Sequence, residues 1–158
     1  MYPCEIIDQP AQFALAVRFR APVQNLQQHF GRVYGMIMQY LNEIGAKPTG
    51  GVFAIYHNMD MQNLDIEAGF TVSHALPAKD EIESIEIPAG NYAVCHYRGP
   101  YDQMAPAYEQ LMEFARDKGF VTGEIAYEWY LTGPEVPPQD NRTNIAFPVT
   151  RITDKETV

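Results

Sequence analysis

The stretch GNYAVCHYRGPY, residues 90–101, contains the transition on which the predicted fold depends. Its first part, Asn91–Tyr97, is rich in aromatic and apolar residues and predicts a β-strand. Pro100 then precedes a helical pattern whose apolar residues recur three or four positions apart. Pro106 is tolerated only in the first turn of a helix, so this helix should begin near Asp102. The stretch therefore predicts a strand that is followed closely by a long helix.

The same order of elements occurs in the first half of the chain. Pro22 precedes another helical pattern, and Gly45 is placed to end that helix. The strands predicted in the first half are Glu5–Asp8, Gln12–Arg20, Val52–Asn58 and Leu64–Val72. Those predicted in the second half are Ile82–Ile87, Asn91–Tyr97, Ile125–Leu131 and Asn144–Arg151.

We therefore expect one α+β domain over residues 1–158, with antiparallel sheets and two long helices. It would be a duplicated ββαββ unit with pseudo-two-fold symmetry, and its repeat halves would cover about 1–76 and 80–153. A groove where two such halves meet is a common place for a small-molecule ligand.

Composition excludes several classes of function. The formal net charge is −9 and the basic residues are not clustered, which argues against direct contact with nucleic acid. The sequence contains neither a signal peptide nor an apolar run long enough to cross a membrane, so we expect a cytoplasmic protein. Cys4 and Cys95 should then be reduced thiols. The two cysteines and four histidines lack the spacing of a metal site, so neither metal nor cofactor is expected.

The stretch Tyr127–Leu131 places a carboxylate, Glu128, inside an aromatic and apolar strand. A buried carboxylate is costly unless a cation or a hydrogen-bond donor meets it. Alternation puts Glu128 and Tyr130 on one face of this strand, and Tyr127, Trp129 and Leu131 on the other. If the second set packs under the helix, Glu128 and Tyr130 face the groove, but alternation alone does not decide which face lines the pocket. The alternative is a half-exposed Glu128 at a strand edge, or one that bonds a buried tyrosine hydroxyl.

The other polar and aromatic residues are weighed against this carboxylate. Four tyrosines are predicted at strand ends near the groove: Tyr56, Tyr97, Tyr101 and Tyr130. Three tyrosines on helices, Tyr34, Tyr40 and Tyr108, are expected to serve packing. Matching the halves places Ile55 at the position of Glu128. Asp65 and Glu67 should face solvent, and the alternative is that they provide a second carboxylate in the groove. The proline-rich connection 132–143 is long for a hairpin and could overhang the groove.

Three parts of the chain resemble the motifs of the GyrI-like small-molecule-binding domain. They are Ile87–Val94 continuing through Arg98–Tyr101, Tyr127–Leu131 followed by Gly133-Pro134, and Ala146–Val149. The resemblance covers nearly the whole chain, including the duplicated order of elements. It implies relationship to the effector-binding modules of AraC- and MerR-type regulators that respond to many drugs. It also implies that Glu128 anchors lipophilic cations in an aromatic pocket between the halves.

Together the residue pattern and the resemblance give a set of candidate ligand-binding residues. They are Glu128, Trp129, Tyr130, Tyr56, Tyr97, Tyr101 and Phe147. The function expected first is binding of hydrophobic, often cationic small molecules, by a module without a DNA-binding domain of its own.

Two alternatives use the same domain differently. A hydrolase that opens strained cyclopropanoid rings in DNA-alkylating compounds would use Glu128 as general acid–base, and no other catalytic residue is predicted. An inhibitor of the DNA gyrase type would instead bind a protein partner. Haem is disfavoured because no axial ligand is evident. The sequence leaves binding and catalysis undecided.

Overall fold

A computed structural model describes residues 2–133 and 135–152, and these form a mixed α+β structure. The helices are α1 (Leu26–Glu43) and α2 (Ala105–Asp117). The strands are β1 (Cys4–Gln9), β2 (Gln12–Ala21), β3 (Val52–Tyr56), β4 (Leu64–Val72), β5 (Ile82–Ile87), β6 (Gly90–Arg98), β7 (Phe120–Thr122), β8 (Ala126–Tyr130) and β9 (Arg142–Arg151). The strand pairs described below are all antiparallel, as expected from the sequence. The short strand β7 was not predicted.

The chain divides into two compact units. One, called the contiguous unit, is Ala11–Pro88. The other, called the split unit, combines residues 1–10 with the chain from Ala89 onward. Strand β1 thus belongs to the unit that is formed mainly by the second part of the chain.

The contiguous unit has the strand order β3-β4-β2-β5, with α1 against one face. Phe30 of α1 meets Phe19 of β2 edge to face, and Tyr34 meets Phe70 of β4 in the same way. Because directly paired residues share a face, Val52, Ala54 and Tyr56 of β3 also lie on the α1 side. Helix α1 is amphipathic as predicted, and it buries Val33, Ile37, Tyr40 and Leu41.

The split unit has the strand order β1-β6-β9-β8, and β7 pairs with the end of β9. Helix α2 buries Ala107, Leu111 and Ala115. Pro106 lies in its first turn, as expected, although the helix begins a few residues after Asp102 and follows a short 3-10 turn over Tyr101–Gln103. Gly119, at φ 86°, adopts the left-handed conformation that ends the helix.

The expectation that Asp65 and Glu67 of β4 face solvent is wrong, because both are buried. Arg18 on β2 donates from Nε to Asp65 Oδ1 at 2.9 Å and from Nη2 to Asp65 Oδ2 at 2.8 Å. Glu67 Oε1 lies 2.6 Å from Nε2 of His57. These partners compensate for the loss of water around each carboxylate. The hydrogen bonds from Arg18 hold the pKa of Asp65 below its ordinary value of 3.8.

Candidate functional site

Glu128 lies in the middle of β8 and is 7% exposed. It pairs with Ile145 of β9, whose other neighbour at the same level is Cys95 of β6. Aromatic and small apolar residues favour the extended conformation of β8. A carboxylate buried among them needs hydrogen-bond donors, either from the tyrosines of the strand or from elsewhere in the fold.

Two tyrosine hydroxyls supply them. Tyr130, two residues along the same strand, donates its hydroxyl to Glu128 Oε1 at 2.7 Å. Tyr108 of α2 donates its hydroxyl to Glu128 Oε2. Each carboxylate oxygen thus accepts a hydrogen bond, and two O–H donors suit a negatively charged acceptor.

Further aromatic rings surround these groups. The ring of Tyr101 meets that of Tyr130 edge to face, with centroids 5.7 Å apart. The ring of Tyr108 meets that of Phe147 in the same geometry at 5.9 Å. We call Glu128, Tyr101, Tyr108, Tyr130 and Phe147 the Glu128 cluster. It brings together four of the predicted ligand-binding residues and one residue that was not predicted.

The charge of Glu128 affects the hydroxyl of Tyr101, at the edge of this cluster. Burial raises the pKa of the Tyr101 hydroxyl, and the negative charge of Glu128 raises it further, against an opposing hydrogen bond with Thr132. Tyr101 is nevertheless 40% exposed. The cluster therefore has its carboxylate inside and one aromatic ring at the surface of the unit.

A buried hydroxyl lies beside the cluster. Thr143 of β9 is opposite Tyr130 on one side and Tyr97 on the other. Thr143 is 0% exposed, and its Oγ1 has no hydrogen-bond partner among the described residues. Such an orphaned polar atom is uncommon in folded proteins.

The predicted site residue Tyr97 makes its contacts outside the Glu128 cluster. Its hydroxyl donates to Pro100 O at 2.5 Å and its ring packs on Tyr2.

Alternation left open which face of β8 meets the helix, and the arrangement with Trp129 under the helix is not the one observed. Glu128 and Tyr130 lie on the face that α2 covers, as the bond from Tyr108 shows. Trp129, half-buried, alternates to the opposite face together with Tyr127. Both faces of this strand carry aromatic residues, so alternation separated the two sets but did not reveal which one meets the helix.

The other unit contains the remaining predicted residue. Tyr56, at the end of β3, lies on the face of the contiguous unit that carries α1. The predicted equivalence of Ile55 and Glu128 is wrong. Ile55 pairs with Glu67 and lies on the face away from α1, whereas Glu128 lies on the face that α2 covers. A shift of one residue between the halves moves every side chain to the other face.

Sequence reasoning missed Tyr108, which it assigned to packing. Its signal was nevertheless present in the pattern. Tyr108 lies on the apolar stripe of α2 with Met104 and Leu111, and a buried tyrosine hydroxyl needs a hydrogen-bond partner. Glu128 needed a donor at the same time. Only the packing of α2 on the sheet shows that the Tyr108 hydroxyl is a donor for Glu128.

The structure also contains a shallow cavity of about 160 Å³ on the contiguous unit. It is lined by Met36, Gln39, Tyr40, Glu43, Lys79, Asp80 and Ile82. It includes none of the predicted site residues, and it is smaller than the roughly 300 Å³ at which ligand pockets usually begin. This cavity therefore offers less room than an ordinary ligand pocket.

The predicted connection 132–143 is anchored at its ends. Leu131 N donates to Arg142 O at 3.0 Å, and Arg98 Nη2 donates to Asp140 Oδ1 at 2.7 Å. Pro134, part of the second motif, lies outside the described residues.

Among residues 2–133 and 135–152, no group of three or more acidic, histidine or cysteine side chains could hold a metal ion. No helix within the described part of the chain is long and apolar enough to cross a membrane.

The site is thus a buried carboxylate, held by two tyrosine hydroxyls, on the side of the sheet that α2 covers. The chain belongs to the family of GyrI-like small molecule binding domains, whose model matches residues 2–150. No curated protein sequence matches the chain.

Solved structures share the fold. The C-terminal domain of EcmrR has 24% identity and a TM-score of 0.85, over 96% of this chain and 99% of that chain. In the complex of EcmrR with DNA, the chain spans only 58% of EcmrR. SAV2435, solved bound to tetraphenylphosphonium, has 13% identity and a TM-score of 0.59, over 95% of this chain and 94% of that chain. A hydrolase encoded by lin2189 from Listeria innocua has 11% identity and a TM-score of 0.69, over 93% and 91% of the two chains.

Proposed function

We propose that the chain binds lipophilic cations at the Glu128 cluster, with Glu128 as the counter-charge. The observation that carries the proposal is a carboxylate that is 7% exposed and is held by two tyrosine hydroxyls among aromatic rings. Family membership and the tetraphenylphosphonium complex of SAV2435 support the same class of ligand. The module would sense or sequester such compounds.

Physical chemistry favours a cation that carries no hydrogen-bond donor. Both oxygens of Glu128 already accept hydrogen bonds, so a ligand with its charge shielded by apolar groups gains Coulomb energy without needing a donor of its own. Each aromatic face adds about 0.5–2 kcal/mol when it contacts a cation. Micromolar affinity requires about 8 kcal/mol in total, which one desolvated ion pair, stacked rings and apolar burial can supply.

Binding would require an aromatic ring to move, since Glu128 is enclosed by its tyrosines. Tyr101 is the ring best placed to do so. It is 40% exposed and lies in the short turn ahead of α2, where it packs edge to face against Tyr130. Displacing it would open a path to the carboxylate from the surface of the split unit.

The two units support the view that the domain is a duplication. The order β2, α1, β3, β4 in the contiguous unit parallels β6, α2, β8, β9 in the split unit, and β5 and β1 each pair with the strand ahead of the helix. On β3, the residues that face α1 are Val52, Ala54 and Tyr56, without a carboxylate. We therefore expect one cation bound per chain.

The test compares two ions of the same shape and opposite charge, tetraphenylphosphonium and tetraphenylborate, by isothermal calorimetry. The wild type should bind the phosphonium with micromolar affinity and a stoichiometry of one, and the borate at least about tenfold more weakly. Glu128→Gln should weaken phosphonium binding by about tenfold or more and remove the preference for positive charge. Tryptophan fluorescence is a poorer readout, because Trp129 lies on the face of β8 opposite Glu128.

Glu124→Gln is the matched control, because Glu124 is an exposed carboxylate four residues before Glu128. It should leave both affinities unchanged. Equal affinity for the two ions, unaffected by Glu128→Gln, would disprove the counter-charge role. Turnover of a cyclopropanoid substrate that is lost in Glu128→Gln would identify a hydrolase instead. Binding to DNA gyrase that survives Glu128→Gln would identify a protein inhibitor.

A further inference from the structure

We propose that Cys4 and Cys95 form a reversible intramolecular disulfide, which makes the split unit responsive to oxidation. Both cysteines are free thiols in the structure. They lie on β1 and β6 and are direct partners in the antiparallel register of these strands.

The backbone hydrogen-bond pattern around Cys4 and Cys95 favours the formation of a disulfide. His96 N donates to Pro3 O at 2.9 Å, which is the backbone hydrogen bond next to the pair. Cys4 and Cys95 are therefore a non-hydrogen-bonded pair of the antiparallel ladder. At such positions the two Cα atoms lie about 4.5 Å apart and the Cβ atoms about 4.5–5.5 Å apart or closer. A disulfide needs Cα atoms about 4.4–6.8 Å apart and Cβ atoms about 3.5–4.5 Å apart, so the backbone need move little.

The two thiols differ in access. Cys95 is 0% exposed, whereas Cys4 is half-buried. Cys4 Sγ donates weakly to Tyr2 O at 3.6 Å and accepts from Gln110 Nε2 of α2 at 3.7 Å. The Gln110 amide is held independently, since Nε2 donates to Tyr2 O at 2.6 Å and Oε1 accepts from Tyr2 N at 3.1 Å. Loss of the Cys4 S–H group would therefore leave the contact between Gln110 of α2 and Tyr2 in place.

Oxidation by a low-molecular-weight disulfide such as oxidised glutathione balances in two exchanges. The Cys4 thiolate attacks one glutathione sulfur, the glutathione S–S bond breaks, and one glutathione thiolate leaves. Cys95 then loses its proton to solvent and attacks the Cys4 sulfur. The mixed S–S bond breaks and the second glutathione thiolate leaves. Two protein thiols are oxidised, and one glutathione disulfide is reduced to two thiols.

The second exchange should limit the rate. Burial, which persists after Cys4 has reacted, is the largest cause of the raised pKa of the Cys95 thiol. Since only the thiolate attacks, the rate of disulfide closure should increase about tenfold per pH unit between about pH 7 and 9. A structural thiol pair that does not react would show no such dependence.

The bond would close a loop that contains the whole contiguous unit, because Ala11–Pro88 lies between the two cysteines in the chain. Cross-links across long loops restrict the unfolded chain most. The oxidised protein should therefore unfold at a higher urea concentration than the reduced protein.

The experiment incubates the full chain in a series of glutathione buffers, then counts free thiols and measures intact mass. We expect both thiols to disappear together, with loss of two hydrogens, no glutathione mass, and a peptide map that joins Cys4 to Cys95. Cys95→Ala should stop at one glutathione adduct on Cys4. Cys4→Ala should remain unmodified, because Cys95 is buried.

Peptide mapping of the wild type does not depend on either variant folding. Two free thiols at every buffer ratio would overturn the proposal. So would a wild type that stops at a glutathione adduct, or a disulfide that joins two chains.

Discussion

At the scale of single residues, the buried carboxylates of Glu128 and Asp65 differ in the charge of their hydrogen-bond donors. Glu128 accepts from the hydroxyls of Tyr108 and Tyr130, which are neutral donors. Asp65 instead accepts from guanidinium groups, bidentately from Arg18 and at 3.3 Å from Arg20. The first arrangement uses neutral hydroxyl donors, whereas the second sets guanidinium groups against the carboxylate. The proposed role of Glu128 is ligand binding, and that of Asp65 is stability.

We predict that Asp65→Asn lowers the free energy of unfolding by about 2 kcal/mol at neutral pH, because the Arg18 bonds are charge-assisted but Arg18 is half exposed. The pKa of Asp65 is lowered in the folded state. Its contribution is therefore complete above the ordinary value of 3.8 and is lost as the pH falls through the lower folded value. Urea unfolding of both proteins should show the difference shrinking as the pH is reduced below about 4.

Asp8→Asn, at an exposed carboxyl of β1, is the control and should change stability little. A constant difference between wild type and Asp65→Asn down to about pH 2 would contradict the assigned ion pair.

At the scale of elements, β2 and β4 approach each other closely at Gly69. Gly69 pairs with Ala16, and a Cβ atom at Gly69 would lie 1.8 Å from Leu15 O and 2.8 Å from Ala16 Cα. Both are backbone atoms, which cannot move aside without separating the strands. The same two strands hold Arg18 against Asp65, so the close approach and the ion pair belong to one register.

We predict that Gly69→Ala lowers the free energy of unfolding by about 3 kcal/mol or more, because the added methyl group overlaps backbone. Gly35→Ala is the matched control. Gly35 is exposed in the interior of α1, and a Cβ there would meet nothing within 4 Å. It should stabilise the protein by about 0.5–1 kcal/mol, since alanine is the better helix former. Equal urea midpoints for the two variants would refute the close approach.

At the scale of the whole molecule, the chain builds the split unit from two distant segments. Residues 1–10 contribute β1, and the rest of the unit begins at Ala89. The pairing runs from Cys4 with Cys95 to Gln9 with Gly90. Ala93, Val94 and Cys95 on β6 are buried in the complete structure. Without β1, the backbone donors and acceptors along this edge of β6 would be unpaired.

We predict that removal of residues 1–10 lowers the urea midpoint and promotes aggregation, because β6 then becomes an exposed apolar edge. Size-exclusion chromatography and urea unfolding measure the two effects. A synthetic peptide of residues 1–10 should restore the stability in trans, whereas a scrambled peptide should not. An unchanged midpoint in the truncated protein would show that β1 contributes little to the split unit.

The sequence by itself determined the antiparallel α+β class, both helices and most of the strands, and it singled out Glu128 as a carboxylate that needs a partner. These follow from local periodicity, from proline and glycine positions, and from the cost of a carboxylate in an aromatic strand. Tertiary structure alone decided that Glu128 faces α2, that Tyr108 is its partner, and that β1 pairs with β6. The physical reason is that alternation along a strand has two equivalent solutions when both faces are apolar. Only the docking of a helix, and pairing between distant segments, selects one of them.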